Sequence, residues 1–274
     1  MDAPPFFSDD PVAGGEVVPI ERNGSRSWAE VVRELGDDDL LAWCRDRWLV
    51  RGTLAPLPGA FRATLDSLHA VAEHLLAPAR YAATGKIGLR FTYHGFGTPF
   101  FGADRQVRIE DGVLVDGDRR QALSTIGAAG MFLDLEPGAP PGVYTPATAL
   151  DPDAQVTVDP ASARALGEWF GFGASLLEQL RADAGEGDAS SRVQIWPEHF
   201  DIAVDLGREE ARANFGASPG DDAHPEPYLY VGPWGPRAGE FWNEPFGASL
   251  SYSAIRAGAD PLEFLRRGRE LLTQ

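Results

Sequence analysis

Apolar positions follow two different periods along the chain, and the switch between them divides it into elements. Phe61, Leu65, Leu68, Ala72, Leu75 and Leu76 recur at three- and four-residue spacing. This spacing puts them on one helical face, and Pro78 predicts the end of that helix. From Lys86 to Tyr93 the period becomes two. Ile87, Leu89, Phe91 and Tyr93 alternate with Lys86, Arg90 and Thr92, the pattern of a half-buried strand. Val107 and Ile109 lead into Asp111-Gly112 and then Val113-Leu114-Val115. An Asp-Gly pair between such runs predicts a hairpin of 107–110 with 113–116.

The second half replays this order. Asp159-Pro160 predicts a helix start, because Asp caps and Pro suits the first helical position. Leu166, Trp169, Phe170, Leu176, Leu177 and Leu180 continue the stripe, which Gly171 and Gly173 weaken. Residues 192–206 read as a strand whose apolar parity shifts at Pro197, predicting a bulge there. Residues 228–231 and 248–252 predict further short strands. Asp260-Pro261 opens a last helix that runs through Leu272. Upstream, Ser27-Trp28-Ala29-Glu30 has the form of a capping box, and a helix is expected from Leu40 to Trp48.

Runs of helices and strands in this order predict an α+β fold with mainly antiparallel sheet. Two related halves, about 27–134 and 159–274, are expected to share one core. Six prolines between Leu135 and Pro160 make the stretch that joins them a crossing loop. Residues 1–26, rich in Pro, Gly and Asp, read as a loosely held arm.

Charge narrows the possible partners. Against 41 acidic residues stand 24 basic ones, a net charge of −17, so phosphate backbones and anionic membranes are repelled and no nucleic-acid or membrane partner is expected. All the basic residues but Lys86 are arginine, which leaves one candidate for any lysine chemistry. The single cysteine, Cys44, cannot form an internal disulfide. With no 18-residue apolar run and no basic-then-apolar N-terminus, a soluble cytoplasmic protein is expected.

No phosphate loop, dinucleotide fingerprint, zinc-type cysteine pair or Gly-x-Ser-x-Gly elbow occurs. His69 and His74 lie five apart, about 140° around a regular helix, so they are read as partly exposed structural histidines. Candidate chemistry concentrates in Trp196-Pro197-Glu198-His199-Phe200-Asp201 and in the stretch from Ala217 to Trp234. If 199–205 is a strand, His199, Asp201 and Asp205 share its outer face. His224 and Glu226 follow in a proline-stiffened loop before Tyr228. Should the two strands be neighbours, His199, Asp201, His224 and Glu226 would converge. These four could then act as catalytic acid–base groups or hold a divalent ion with an open position for water. Trp196, Tyr228, Tyr230, Trp234 and Trp242 would line the pocket. In the first half His94, in a glycine-rich aromatic turn, is a further candidate, and Lys86 and Arg90 could offer an anion a paired cationic face. The plainer alternative is the wet face of a sheet, with Asp221 and Asp222 as turn residues. Asp151 and Asp153 lack the remaining calcium spacing and are also read as turn residues.

On these two strings, Trp196–Asp201 and Ala217–Trp234, the chain resembles a set of uncharacterised actinobacterial proteins. More distantly, Gly85-Lys86-Ile87-Gly88-Leu89 after a helix is similar to a bacterial family known as a domain of unknown function. The resemblance implies a soluble bacterial context and assigns no catalytic role. The expectation is therefore a small-molecule-binding protein or a metal-assisted, hydrolase-like enzyme using the His199/His224 region. The alternative is an acidic protein that docks on a basic partner or on a second copy of itself, a homodimer.

Overall fold

The computed structural model describes residues 54–92, 94–102, 105–185 and 187–274. The expected arm, the capping box at Ser27 and the helix at 40–48 lie outside the described residues, as does Tyr93. Helix α1, Phe61–Val71, buries Phe61, Leu65 and Leu68 of the expected stripe, together with Thr64 and Val71. It does not stop at Pro78. A π-helical turn, Ala72–Leu76, carries it into α2, Ala77–Thr84. Proline lacks an N–H and crowds the carbonyl four residues back, here that of His74. The wider turn accommodates this, with Ala77 N–H reaching back to Ala72 O. Carbonyls left over by the turn are taken up by the crossing loop: Gly138 N–H donates to His74 O at 3.0 Å and the Tyr144 hydroxyl to Glu73 O at 2.5 Å.

The first sheet is an antiparallel meander of β1 (Arg90–Thr92), β2 (Gly95–Gly97), β3 (Val107–Glu110), β4 (Val113–Asp116) and β5 (Arg119–Ala122). The Asp-Gly hairpin forms as expected, with Glu110 opposite Val113 and Val107 opposite Asp116. Asp111 and Gly112 take φ of 50° and 80°, the positive values that such a two-residue turn demands. After α3 (Ile126–Leu133) the crossing loop runs to the N-cap Asp159, which accepts the Ser162 N–H at 2.8 Å. Within that loop Asp151 accepts the Asp153 N–H, turn chemistry as expected.

Helix α4, Pro160–Ala182, leads into the second sheet. Its strands are β6 (Ala189–Ser190), β7 (Gln194–Trp196), β8 (Asp201–Gly207), β9 (Ala213–Ser218), β10 (Tyr228–Pro233) and β11 (Ala248–Ser251). The order is β11-β10-β9-β8-β6, with β7 also paired to β8, all antiparallel. The stretch 192–206 is therefore not one bulged strand. It reverses at 197–200 into a hairpin, with Trp196 opposite Asp201, and this reversal is the cause of the parity change at Pro197. Two short helices, α5 (Tyr252–Arg256) and α6 (Pro261–Leu272), close the chain. Asp260 caps α6 as expected, accepting from Leu262 and Glu263 N–H.

The sheets meet where Leu89 and Ile195 exchange both backbone hydrogen bonds, at 2.8 and 2.7 Å. Helix α4 lies across both. Its glycines mark close approaches: a Cβ on Gly167 would fall 2.6 Å from the Gly95 nitrogen in the first sheet, and one on Gly173 2.6 Å from Ala217 Cβ in the second. One apolar cluster joins α1, α4 and both sheets, with Phe96, Trp169, Phe170, Phe200 and Phe215 among its largest buried side chains. The architecture is α+β with mainly antiparallel sheet. Among the described residues no helix is long and apolar enough to cross a membrane.

Candidate functional site

One face of the second sheet is buried through Ile202, Val204, Phe215, Leu229 and Val231, packing on α4 and, at Val231, on Gly268 of α6. Alternation along β8, β9 and β10 turns Asp201, Asn214, Ser218, Tyr228 and Tyr230 to the opposite face. That face is the floor of a cleft with two adjoining lobes of about 890 and 620 Å³, which share His69, Ala147, His199, Asp221, Tyr228 and Phe246. Walls come from α1, the crossing loop at Ala147 and Thr148, the β7–β8 turn, the 219–224 loop and the 244–246 segment.

Strands β8 and β10 are not neighbours, contrary to the arrangement expected from spacing, because β9 lies between them. Gly216 of β9 closes the gap. Its missing side chain leaves the Tyr230 ring lying over it, and a Cβ there would meet that ring at 2.4 Å. Across Gly216 the Tyr230 hydroxyl donates to Asp201 Oδ2. The other oxygen, Oδ1, is buried and has no hydrogen-bond partner among the described residues. Burial pushes the Asp201 carboxyl above the usual range, opposed by the Tyr230 hydroxyl, His199 and Asp201's own backbone N–H, and assisted by Glu198. Tyr230 is in turn raised well above an ordinary phenol, first by its own burial and then by Asp201.

A second Tyr–Asp pair repeats this motif at the lip. The Tyr228 hydroxyl donates to Asp221 Oδ2 at 2.8 Å, while Asp221 Oδ1 accepts Ala223 and His224 N–H, each at 2.8 Å. Burial raises the Asp221 carboxyl, but these hydrogen bonds outweigh it and hold the group below its ordinary value. The turn reading of Asp221 is thus correct, and the same turn brings a carboxylate to Tyr228. Tyr228, Tyr230 and Phe246 have ring centroids 6.3–6.4 Å apart and form one aromatic patch. His224 lies beside it, 4.6 Å from the Tyr228 ring, with Nε2 3.1 Å from Glu244 Oε1.

On the α1 side the His69 ring stacks on Phe200, with centroids 5.0 Å apart and 9° between planes, and its Nε2 donates to Pro197 O at 2.9 Å. Burial lowers the His69 pKa, and Glu73, 3.6 Å away, opposes that. His74 is buried rather than partly exposed, as the π turn rotates it inward, and its Nε2 lies 3.1 Å from Thr148 O. Phe200 holds a φ of 51°, rare for a bulky residue. Its side chain is fixed between His69, Phe96 and Phe170, with the Phe96 and Phe170 ring centroids at 5.0 and 5.3 Å. This fixed turn presents His199 to the cleft.

Of the residues singled out from sequence, His199, Asp201, His224, Tyr228, Tyr230 and Trp234 line this cleft. His199 does so from a turn, not from the strand face it was expected to share with Asp201. Glu226 is absent from the lining and accepts the Ser253 hydroxyl at 2.7 Å. The expected four-residue ligand set therefore does not assemble: Asp201 is bound to Tyr230, His224 to Glu244 and Glu226 to Ser253. Among the described residues no group of three or more His, Cys, Asp or Glu is arranged to hold a metal ion. Trp196 lies outside the cleft lining, and Trp242 borders a separate hollow beside α6. Nor do Lys86 and Arg90 form a paired cationic face, and His94 lies apart from the cleft lining. Lys86 is exposed, Arg90 is buried with its Nε on Phe91 O, and His94 sits in the β1–β2 turn 3.1 Å from Asp111 Oδ2. Asn214, Ser218 and His69 were missed as cleft residues. The signal for the first two was a faint alternation of Ala213, Phe215 and Ala217 with Asn214, Gly216 and Ser218.

No protein family, curated protein or solved structure matches the chain.

Proposed function

We propose that this protein binds a small organic molecule in the cleft over the polar face of its second sheet. One observation carries the reading: an aromatic patch and an unpartnered buried carboxyl oxygen share the floor of a cleft whose size suits such a ligand. Ligand sites typically enclose about 300–1,000 Å³, with apolar walls and a few convergent polar groups. The wet face of a sheet is covered by water and does not need Asp201 held 7% exposed under a tyrosine. His199 and the Asp201–Tyr230 pair lie together there and would be available for proton transfer to a bound substrate. Hydrolysis assisted by a metal ion is less well supported, since the side chains expected to hold it turn to other partners. The test is a charge-balanced fragment library screened by thermal shift and ligand-observed NMR on the wild type and on Phe246→Ala. Compounds that bind the wild type and lose affinity in the variant are expected. A library that gives no binder, or binders indifferent to Phe246, refutes the reading.

A further inference from the structure

We infer that the ligand of this cleft carries a cationic nitrogen, an ammonium or guanidinium group, seated against Asp201 and on the aromatic patch of Tyr228, Tyr230 and Phe246. The inference rests on the proposal that the cleft binds a small molecule, and specifies the charge of that molecule.

Three independent features point the same way. The first is the balance of charge. Among the described residues Asp66, Glu198, Asp201, Asp221, Asp222 and Glu244 line the two lobes, against Arg62 as the one arginine or lysine. Arg62 is itself neutralised, with Nε 2.9 Å from Asp66 and Nη2 2.9 Å from Asp222. A concave surface of this sign concentrates cations and excludes anions.

The second is Asp201. Its side chain lines the cleft, is more than nine-tenths buried, and leaves Oδ1 with no hydrogen bond among the described residues. A buried acceptor without a donor is costly. An N–H from a ligand cation would satisfy it, and Tyr230 already fixes the other oxygen in place. Burial holds this carboxyl above its ordinary range, and a cation seated against it would favour its ionised form.

The third is the chemistry of the patch. Both tyrosine hydroxyls donate to carboxylates, Tyr230 to Asp201 and Tyr228 to Asp221. Donation to an anion enriches the ring in electrons, which strengthens its attraction for a cation lying within about 6 Å of the centroid. Phe246 extends the same surface, 6.3 Å from Tyr228 and 6.4 Å from Tyr230. Neutral apolar ligands would gain from such rings but would leave Asp201 unsatisfied.

The experiment uses the full chain and a ring-matched trio, tyramine, tyrosol and 4-hydroxyphenylacetate, which share a phenol ring on a two-carbon chain and differ in the terminal group: ammonium, hydroxyl or carboxylate. Agmatine is added as a guanidinium probe, a lysine-rich peptide as a stand-in for a basic protein surface, and the fragment library as background. Calorimetry is expected to show the cations binding at least about tenfold tighter than their neutral and anionic counterparts. Asp201→Asn is expected to remove that preference while leaving tyrosol unchanged. Should Asp201→Asn not fold, the order of the affinities of tyramine, tyrosol and 4-hydroxyphenylacetate for the wild type still decides, because only a preference for the cation fits the inference. Neutral or anionic rings binding as well as tyramine would overturn the inference and leave the small-molecule reading standing. Binding of the peptide with no binding of the small amines would also overturn it, in favour of a basic protein partner. A library without a single binder of any charge would remove both readings together.

Discussion

Glu73 and Thr148 lie 75 residues apart in the chain and meet at one carboxylate oxygen, which accepts the Thr148 N–H at 2.8 Å and its hydroxyl at 2.5 Å. The other oxygen accepts the Ala147 N–H at 2.6 Å. Glu73 is fully buried within the π turn, so this one side chain ties the crossing loop to α1. Ala147 and Thr148 are also cleft wall. The irregular turn that Pro78 imposes therefore shapes the site as well as the helix, in keeping with the frequent placement of π turns at functional positions.

Glu73→Ala is expected to destabilise the protein by about 3 kcal/mol, because two backbone N–H groups and a hydroxyl lose a charged acceptor. Urea unfolding measures this. In a double-mutant cycle with Thr148→Val the two losses should fall short of additivity by about 1 kcal/mol or more. Strict additivity would mean that Glu73 does not hold the loop through Thr148.

Gly167 offers a test in which propensity and packing oppose each other. In an exposed helix, Gly→Ala gains about 1 kcal/mol. Here the new Cβ would sit 2.6 Å from Gly95 N and 2.9 Å from Gly95 Cα, both in strand backbone. Packing wins, and Gly167→Ala should cost about 1–3 kcal/mol. A variant that melts higher than the wild type would show that α4 does not seat on β2 as described.

What was legible in the sequence was local. Asp159 and Asp260 act as caps, and the Asp111-Gly112 pair makes its hairpin, since the chemistry of each is contained within a few residues. What was not legible depended on distant partners. Phe200 takes a left-handed conformation because His69, Phe96 and Phe170 hold its ring. Without them, nothing around Pro197 distinguishes a bulge from a reversal. β9 escaped notice because its cleft side is small at Gly216, where the ring of Tyr230 crosses. The same crossing hid the Asp201–Tyr230 contact, which joins strands that do not pair. His199, Asp201 and His224 do line one cleft, but their spacing with Glu226 did not foretell a four-residue cluster, since Glu226 accepts from Ser253.

The two halves are expected to fail as separate fragments. Leu89 and Ile195 pair across them, α4 seats on both sheets, and one apolar cluster spans the whole. Residues 1–150 and 151–274 expressed alone should each lack a cooperative melt, and mixing them should restore one only if they associate. Independent cooperative melting of either fragment would contradict a shared core.

The Asp201 carboxyl has a sign that can be measured. Burial raises its pKa in the fold above the unfolded value near 4. A carboxyl raised in this way adds stability that is fully present below the unfolded pKa and is lost as pH rises through the folded one. The groups that face it are Tyr230, which donates to it, His199 and its own backbone N–H, which lower it, Glu198, which raises it further, and Tyr228, whose own pKa it raises. Tyr228 and Tyr230 are both raised above ordinary phenols, chiefly by burial, and stay protonated throughout this range. Asparagine at 201 cannot ionise, yet its carbonyl can still accept from Tyr230. Relative to Asp201→Asn, the wild type should therefore lose up to about 1.4 kcal/mol per pH unit between the unfolded and folded pKa values, and then level off. Urea denaturation of both proteins from pH 4 to pH 8 reads the difference directly. The variant should gain on the wild type as pH rises. Parallel profiles would mean that Asp201 ionises in the fold as it does in the unfolded chain, and a variant that loses ground with rising pH would mean that its carboxylate is stabilised there.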